Sequence, residues 1–192
     1  MATVRDEIYW NTFYSNNSTK QECSDFCLFV LDFFKNYTNL VRVLDCGCGN
    51  GRDSYTLADK YQVEAVDNCG FLSNNESNVN FSVNDFVTMN KTNYDVIYSR
   101  FTFHSISDEQ QVIFLDSIQS NTYLAIETRS KKGEQDDVYH GKTHYRNYTG
   151  LHYLQDILKS KNYEVLYIKE DKNMAVYKNE NPYCIRVICK KL

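Results

Sequence analysis

Short apolar runs recur along the chain and alternate with polar segments that are compatible with helices. Before residue 130 these runs are VRVLD (41–45), QVEAVD (62–67), VNFSVND (79–85), YDVIYS (94–99) and TYLAIET (122–128). Near-continuous apolar strands that alternate with helices are typical of a parallel sheet covered on both faces. The pattern therefore predicts an open α/β fold with right-handed crossovers between its strands.

The pattern changes near both ends of the chain. In residues 21–35 the apolar side chains recur at helical spacing, which predicts an amphipathic helix packed on the domain. Near the C-terminus, YEVLYIKE (163–170) and YCIRVICK (183–190) are two strands with only a polar loop between them. That loop is too short for a helical crossover, so we expect an antiparallel hairpin at one edge of the sheet.

No linker divides the chain, so we predict a single domain over residues 1–192. In this interpretation residues 1–37 form an N-terminal helical cap segment, and residues 41–192 form the α/β core. A chain of 192 residues is long enough to bury a sizeable core.

Charge and cysteine content narrow the class of protein. The chain has 21 basic and 25 acidic residues, a net charge of −4, which does not favour nucleic acid or a membrane as the main partner and weakly favours a small ligand. No run approaches the ~20 apolar residues of a membrane helix, and the N-terminus lacks the apolar core of a signal peptide. We expect a soluble, cytoplasmic protein whose seven cysteines are reduced and bind no metal.

A glycine-rich turn, VLDCGCGNG, follows the first predicted strand. Asp45 ends the strand, and Gly47, Gly49 and Gly51 follow at alternate positions. Glycines let the backbone approach a ligand closely, and the last of them allows tight packing of strand against helix. In open α/β sheets ligands bind beyond the carboxyl ends of the strands, so this turn is a candidate binding site.

The next two strands also end in acids. Asp67 comes 22 residues after Asp45 (67 − 45), close to the ~20-residue offset at which an acid meets a ribose. Asp85 precedes Phe86 at the end of the third strand, a pairing that suits an adenine ring. As an isolated acid Asp85 would more often be a helix cap. Together these strand ends predict a nucleotide cofactor.

The acid before the turn distinguishes between two nucleotide cofactors. A pyrophosphate binds where its charge meets helix N-termini, and the Asp45 carboxylate would repel it. The same carboxylate attracts a cationic amino acid moiety. The turn therefore favours S-adenosylmethionine, which carries an ammonium and a sulfonium group.

The segments VLDCGCGNG, VEAVD, NDF and YDVIYSRFTFH, in this order, resemble the motifs of class I S-adenosylmethionine-dependent methyltransferases over residues 41–127. The turn GCGNGRDS is similar to the tellurite-resistance-type branch. The segments HYRNY and YKNENPYCIRVI are similar to small methyltransferases of bacterial capsule and surface-polysaccharide pathways. The resemblance implies a Rossmann-like, mostly parallel sheet of seven strands in the order 3-2-1-4-5-7-6, with helices on both faces and an antiparallel seventh strand.

The resemblance also implies which residues bind the cofactor. The glycine turn would line the methionine moiety, Asp67 would bind the ribose, and Asp85 with Phe86 would hold the adenine. Ser99 and Arg100 would lie near the transferable methyl group. The N-terminal aromatic segment resembles a cofactor cover, although a hydrophobic staple on the first helix explains it equally well. The implied cofactor-binding residues are Tyr9, Trp10, Tyr14, Asp45, Gly47, Gly49, Gly51, Asp67, Asp85, Phe86 and Ser99.

His104 is the candidate catalytic residue. Methyl transfer from a sulfonium is an in-line displacement, for which the protein supplies alignment and, for a hydroxyl nucleophile, a base. His104 follows the fourth strand by five residues (104 − 99) and so lies where the methyl group should emerge. It could equally cap the helix that starts near Ser107, and both interpretations stay open.

A polar loop after the fifth strand carries an excess of positive charge. From residue 129 to 147 it has five arginines and lysines and three acids: Arg129, Lys131, Lys132, Lys142, Arg146, Glu134, Asp136 and Asp137. Long loops without structure are often functional, so residues 131–147 are predicted to form a lid over an anionic acceptor. Guanidinium groups bind such anions bidentately. The predicted substrate-binding residues are Arg100, Arg129, His144 and Arg146; a merely solvated loop is the alternative.

The leading functional hypothesis is O-methylation of a small anionic metabolite, a phosphorylated or nucleotide-linked precursor of a surface polysaccharide. A nucleic-acid methyltransferase is a weaker alternative, because SRFTFH replaces the usual Asn or Asp with Pro-Pro-Tyr or Pro-Pro-Phe after the fourth strand. A non-catalytic protein that binds S-adenosylmethionine is the other alternative. The sequence alone leaves open the acceptor, the atom methylated and the oligomeric state.

Overall fold

Seven strands form one sheet in the order β3-β2-β1-β4-β5-β7-β6. The structure, a computed structural model, describes residues 8–13, 22–69, 79–135, 145–177 and 179–192. The strands are β1 (Arg42–Cys46), β2 (Gln62–Asp67), β3 (Val79–Val83), β4 (Val96–Arg100), β5 (Tyr123–Arg129), β6 (Tyr163–Asp171) and β7 (Cys184–Lys191). The four pairings among β1 to β5 are parallel, and β7 runs antiparallel to both of its neighbours. The predicted α/β class and strand order are confirmed.

Helices cover both faces of the sheet, as predicted. Residues 8–13 are helical (α1), followed by α2 (Asp25–Phe33), α3 (Arg52–Leu57), α4 (Asp108–Asp116) and α5 (Leu151–Ser160). Side chains alternate along each strand, so Val96 and Tyr98 pack with α2 and α3 while Ile97 packs with α4 and α5. None of the described helices has the length and apolarity needed to cross a bilayer.

Helix α2 lies within the helix predicted from the apolar spacing of residues 21–35. It begins after Ser24, whose side chain accepts a hydrogen bond from the backbone N–H of Cys27. Phe26 and Phe34 are fully buried against the sheet. Ser24 also donates to Asp53 at the start of α3, so the cap of α2 is bonded directly to the glycine turn region.

The connection between β3 and β4 differs from the expected alternation of strands and helices. Residues 84–95 are described throughout and form turns rather than a helix. Lys91 is fully buried here, and its ammonium donates to the carbonyls of Val87 and Met89 and to the Ser117 hydroxyl. The lysine thereby satisfies carbonyl groups that helical N–H groups would otherwise satisfy.

The predicted C-terminal hairpin is confirmed. Strands β6 and β7 pair from Tyr163 opposite Lys191 to Asp171 opposite Cys184, with one register shift between Val165 and Tyr167. Because β6 runs parallel to β5, the loop that joins the hairpin strands, residues 172–183, lies at the carboxyl edge of the parallel strands. This is the edge at which open α/β sheets bind ligands.

Candidate active site

A cavity of about 810 Å³ opens at the carboxyl edge of the sheet. Segments that follow β1 to β5, residues of α1 and the hairpin loop all line it. The predicted site residues that line it are Tyr9, Trp10, Asp45, Gly47, Asp67, Asp85, Phe86, Arg100, His104, Arg129 and Arg146. Gly49, Gly51 and Ser99 are not among the lining residues. The predicted residues Tyr14 and His144 lie outside the described residues.

Two glycines of the turn occupy positions that no other residue would fill without strain. Strand β1 continues one residue beyond the predicted end, to Cys46. Gly47 has a φ of 72°, and a Cβ there would lie 2.1 Å from Cγ2 of Thr102. Gly51 has a φ of 76°, and its Cβ would lie 2.6 Å from the ring of Phe81. The bare backbone thus sets the shape of the turn against its neighbours.

The Asp67 carboxylate is buried and held in one orientation at the end of β2. It accepts hydrogen bonds from the backbone N–H of Gly49 at 2.9 Å and of Cys69 at 3.0 Å. Gly49 therefore acts on the site through Asp67 rather than by bordering the cavity. A fixed carboxylate suits a ribose acceptor, and the ribose assignment itself stays a prediction.

Asp85 serves as a local cap. Its two carboxylate oxygens accept from the Val87 backbone N–H at 2.9 Å and from the Thr88 hydroxyl at 3.0 Å. Phe86 packs edge-on against Phe114, with 5.7 Å between the ring centroids. A carboxylate oxygen accepts more than one hydrogen bond, so capping leaves the predicted contact of Asp85 with adenine open.

Two more acids lie buried beside the glycine turn. Asp45 is 3% exposed and accepts a hydrogen bond of 2.6 Å from the Ser54 hydroxyl. Burial raises the pKa of the Asp45 carboxyl to about 7, although the Ser54 hydrogen bond lowers it. Asp53 was missed by the sequence analysis; it accepts from the Ser24 backbone and hydroxyl and from the Tyr98 hydroxyl, each at 2.7 Å. The sequence feature that could have indicated Asp53 is its position two residues after Gly51.

We call this part of the cavity the acidic end, defined by four lining residues: Asp45, Asp53, Asp67 and Asp85. Arg52 also lines it, and its Nε lies 3.8 Å from Asp53. The opposite part is the arginine end, defined by Arg100, Arg129 and Arg146. The two ends belong to one continuous cavity.

Ser99 is buried and its hydroxyl lies 2.5 Å from the hydroxyl of Thr102. It does not border the cavity, whereas Arg100 and Thr102 do. Arg100 Nε lies 3.1 Å from Glu127, a fully buried carboxylate that also binds Arg186 Nε at 2.6 Å. The single Glu127 carboxylate is thus shared by Arg100 and Arg186, so this group of three side chains carries a net positive charge.

Phe101, which the sequence analysis also missed, has a left-handed backbone with a φ of 58°. Such a conformation is a marked outlier for a bulky residue and is often found at functional sites. Two guanidinium groups lie over the Phe101 ring, that of Arg100 at 4.6 Å and that of Arg129 at 5.6 Å from the ring centroid. The strained backbone thus accompanies an aromatic ring that contacts two cations at the arginine end.

His104 lies on a 3₁₀ turn, Phe103–Ser105, and is 4% exposed. Its Nδ1 accepts a hydrogen bond of 3.2 Å from the backbone N–H of Arg129, and the Thr128 hydroxyl lies at the same distance. Helix α4 is capped by Ser107, which forms a capping box with Gln110. The interpretation of His104 as the helix cap is therefore wrong.

The hairpin loop completes the arginine end, a contribution that no sequence pattern indicated. Arg129 Nη2 lies 3.0 Å from Glu180 Oε2, and Met174 and Tyr177 line the cavity beside them. Arg146 donates to the Tyr148 hydroxyl at 3.3 Å. Burial lowers the pKa of the Arg146 guanidinium, and the positive charge of Arg129 lowers it further.

The segment predicted to form a lid, residues 131–147, is held at both described ends. The backbone N–H of Lys131 donates to the Thr149 carbonyl at 2.9 Å, and that of Asn147 donates to the His104 carbonyl at 2.7 Å. Residues 136–144 lie outside the described residues. The lid stays a prediction.

The cysteines and acids of the described ranges do not form a metal site. All seven cysteines are free thiols. No three histidines, cysteines or acids in the part of the chain that the structure describes are grouped so as to hold a metal ion.

The fold and the site together define a Rossmann-like domain with a glycine-rich turn at the carboxyl edge of its sheet. The family described as "Methyltransferase domain" matches residues 38–170, and the chain belongs to that family. The protein is thus an S-adenosylmethionine-dependent methyltransferase. A search among curated proteins returned no significant match.

Solved structures share the fold at low sequence identity. An S-adenosylmethionine-dependent methyltransferase from Anabaena variabilis has a TM-score of 0.72 at 14% identity, covering 99% of this chain and 96% of its own. Magnesium protoporphyrin IX methyltransferase (ChlM) from Synechocystis, with bound S-adenosylmethionine, has a TM-score of 0.65 at 14% identity, covering 86% and 78%. TehB from Haemophilus influenzae has a TM-score of 0.64 at 19% identity, covering 85% and 61%.

Proposed function

We propose that this methyltransferase acts on an oxygen of a small anionic metabolite. The observation that supports the proposal is the separation of charge within one cavity, with carboxylates at the acidic end and guanidinium groups at the arginine end. S-adenosylmethionine, when bound, supplies an electrophilic methyl group on a cationic sulfur. The acidic end fits this cofactor, because its buried carboxylates offset positive charge and its glycine turn leaves room for a ligand.

The arginine end supports an anionic acceptor for a second reason. Arg129 and Arg146 lie close enough for one to lower the pKa of the other. Arg129 is partly neutralised by Glu180, whereas burial works against the charge of Arg146. An anion bound between the two guanidinium groups would offset this repulsion and accept charge-assisted hydrogen bonds.

The finer proposal is that the acceptor is phosphorylated or nucleotide-linked and belongs to a surface-polysaccharide pathway in the cytoplasm. Its support is the resemblance of YKNENPYCIRVI to small methyltransferases of such pathways. That segment supplies Tyr177 and Glu180, two residues that line the arginine end. The structural relatives do not identify the acceptor of this protein, since one of them is named for a magnesium porphyrin.

The test uses S-adenosylmethionine labelled in its methyl group and a low-molecular-mass extract of bacterial cells, divided by anion exchange. We expect labelled product from the retained, anionic fraction. Replacing Arg129 or Arg146 with Met should reduce turnover at limiting acceptor about tenfold or more, the loss typical of a charged hydrogen bond. Affinity for S-adenosylhomocysteine should stay unchanged in both variants.

Arg42→Met is the matched control, because Arg42 lies at the amino end of β1, exposed and away from the cavity lining. It removes the same charge and should leave turnover intact. Label found only in the unretained, neutral fraction would contradict the proposal, as would equal losses in the Arg42 and Arg129 variants.

A further inference from the structure

The hydrogen bonds of His104 determine which ring nitrogen carries its proton. A backbone N–H can only donate, and the N–H of Arg129 points at Nδ1 of His104 at 3.2 Å. Nδ1 must therefore present a lone pair. In the neutral ring the proton then lies on Nε2, so this edge of His104 is a hydrogen-bond donor.

This tautomer does not suit a general base. Nε2 already carries a proton and cannot accept another from a substrate hydroxyl. Nδ1 could accept one only by giving up the hydrogen bond from Arg129, and it faces the β5 backbone. The Thr128 hydroxyl, within 3.2 Å of Nδ1 and 3.1 Å of the Thr149 hydroxyl, further packs this side of the ring.

His104 shares its part of the cavity with cations. The arginine end brings Arg100, Arg129 and Arg146 to the same wall, together with the Phe101 ring at 5.7 Å from the imidazole. Glu180, the carboxylate that the hairpin loop adds there, is paired with Arg129. These surroundings stabilise an acceptor that carries negative charge when it binds.

We infer that His104 donates a hydrogen bond from Nε2 to the acceptor, and that the oxygen to be methylated is already ionised when it binds, as a carboxylate or phosphate oxygen. The inference rests on the proposed function and names the chemistry of its acceptor. It replaces the hypothesis that His104 is a general base.

The proposed step balances without a proton. The ionised acceptor oxygen forms an O–CH₃ bond with its own electron pair as the S–CH₃ bond breaks and its electron pair stays on sulfur. The negative charge of the oxygen and the positive charge of the sulfonium cancel. Methylation of a hydroxyl would instead release one proton for each S-adenosylhomocysteine formed.

The tautomer is tested first, on the free protein and without an acceptor. Long-range ¹H–¹⁵N correlation spectra of labelled protein show which nitrogen of each histidine ring is protonated. The His104 signals are assigned by their loss in His104→Gln. We expect protonated Nε2 and unprotonated Nδ1; a proton on Nδ1, in either the neutral or the charged ring, would overturn the inference.

Turnover of the two His104 variants separates a donor from a base. The amide of His104→Gln keeps a donor, whereas His104→Leu keeps none. We expect His104→Leu to lose about tenfold or more at limiting acceptor, and His104→Gln to recover most of that loss. If His104 were a general base, which typically contributes ~10² to 10⁴ in rate, both variants would lose turnover equally.

Analysis of the product identifies the oxygen that is methylated. In weakly buffered solution we expect S-adenosylhomocysteine to form without release of protons. A carboxylate product is a methyl ester that releases labelled methanol in alkali, whereas a phosphate methyl ester withstands alkali, so the two sources are told apart. One proton released for each turnover would overturn the inference while leaving an anionic acceptor possible.

Failure of the proposed function has a different signature. It would appear as label that arises only from the unretained, neutral fraction of the extract, whatever the tautomer of His104. Calorimetric titration with S-adenosylhomocysteine checks that each His104 variant still forms the cofactor site.

Discussion

The acidic end and the arginine end of the cavity are built in different ways. At the acidic end, the glycine turn and consecutive strand ends place Asp45 and Asp67 in position. The Ser54 hydroxyl holds Asp45, and local backbone N–H groups hold Asp67. At the arginine end, side chains from β4, β5, the segment before α5 and the hairpin loop meet across long stretches of sequence. The first end is a property of the fold, and the second is a property of this chain.

This difference predicts how substitutions at the two ends should act. A cofactor that is common to a family is bound by the geometry of the backbone, which changes little when side chains are substituted. The acceptor is selected by side chains on loops, which differ from one protein to another. Substitutions at the acidic end should therefore affect the cofactor and stability, and substitutions at the arginine end should affect the acceptor alone. The predictions below test that division.

Replacing Gly47 with Ala should have the largest effect. The new Cβ would require a left-handed backbone, which costs about 1–2 kcal/mol, and would lie 2.1 Å from Thr102 Cγ2, a clash of a further ~1–3 kcal/mol. We expect a loss of at least about 2 kcal/mol in the free energy of unfolding, measured by chemical denaturation, and loss of S-adenosylhomocysteine binding.

Thr102→Ser in the same background removes Cγ2, so that the nearest remaining atom is the Thr102 Cβ at 3.3 Å, and should restore part of the stability. Gly150→Ala is the control, because its φ is −77° and its new Cβ makes only a 3.7 Å contact. Equal losses at Gly47 and Gly150 would contradict the account of the turn.

Asp67→Ala should have the next largest effect, a loss of affinity for the cofactor. It removes the predicted ribose acceptor and leaves the N–H groups of Gly49 and Cys69 without their carboxylate partner. We expect a loss of about 1.5–3 kcal/mol in affinity for S-adenosylhomocysteine by calorimetric titration. Asp59→Ala, an exposed acid outside the cavity lining, is the control. Unchanged affinity in Asp67→Ala would end the ribose assignment.

The two ends also differ in how far the sequence predicted them. Strand ends, the glycine turn and their acids follow from local patterns, so most of the acidic end was expected. The strand order was expected from the family resemblance. Asp53 was missed because its partners Ser24 and Tyr98 come from distant segments. Ser99 was expected near the methyl group, but its hydroxyl is bonded to Thr102 and does not border the cavity.

At the arginine end the sequence indicated charge but not geometry. No local pattern predicts a left-handed Phe101, because its backbone is held by tertiary contacts rather than by residue preference. The pairing of Arg129 with Glu180 joins residues 51 positions apart, across the hairpin loop. Hydrophobic periodicity carries no information on such contacts, which is why the contact of this loop with the site was not predicted.

The acidic end should make stability depend on pH through Asp45. The folded pKa of about 7 lies above the usual value of ~3.9, so the folded state holds this proton more tightly than the unfolded chain. The contribution of Asp45 to the free energy of unfolding is therefore lost as pH rises toward and through 7, by about 1.4 kcal/mol between pH 6 and 8.

Asp45→Asn should remove that part of the pH dependence, as measured by denaturation at pH 6 and 8. Asp59→Asn, which alters an exposed acid, should keep the parent's dependence. Identical pH dependence in the parent and Asp45→Asn would contradict the assignment of the titration to Asp45.

The smallest predicted effect concerns a substitution at the arginine end. Glu180→Gln removes one negative charge next to Arg129 but keeps a hydrogen-bond acceptor of the same shape. The potential at the arginine end becomes more positive, so an anionic acceptor should bind more tightly by less than about 1 kcal/mol, a two- to fivefold fall in KM. S-adenosylhomocysteine affinity should not change, because the acidic end is untouched.

Glu134→Gln makes the same change of charge on an exposed residue outside the cavity lining, where solvent and salt screen it. If KM responds equally in the two variants, net charge rather than the local field of the arginine end governs the acceptor; if cofactor affinity responds to Glu180→Gln, the two ends do not act separately.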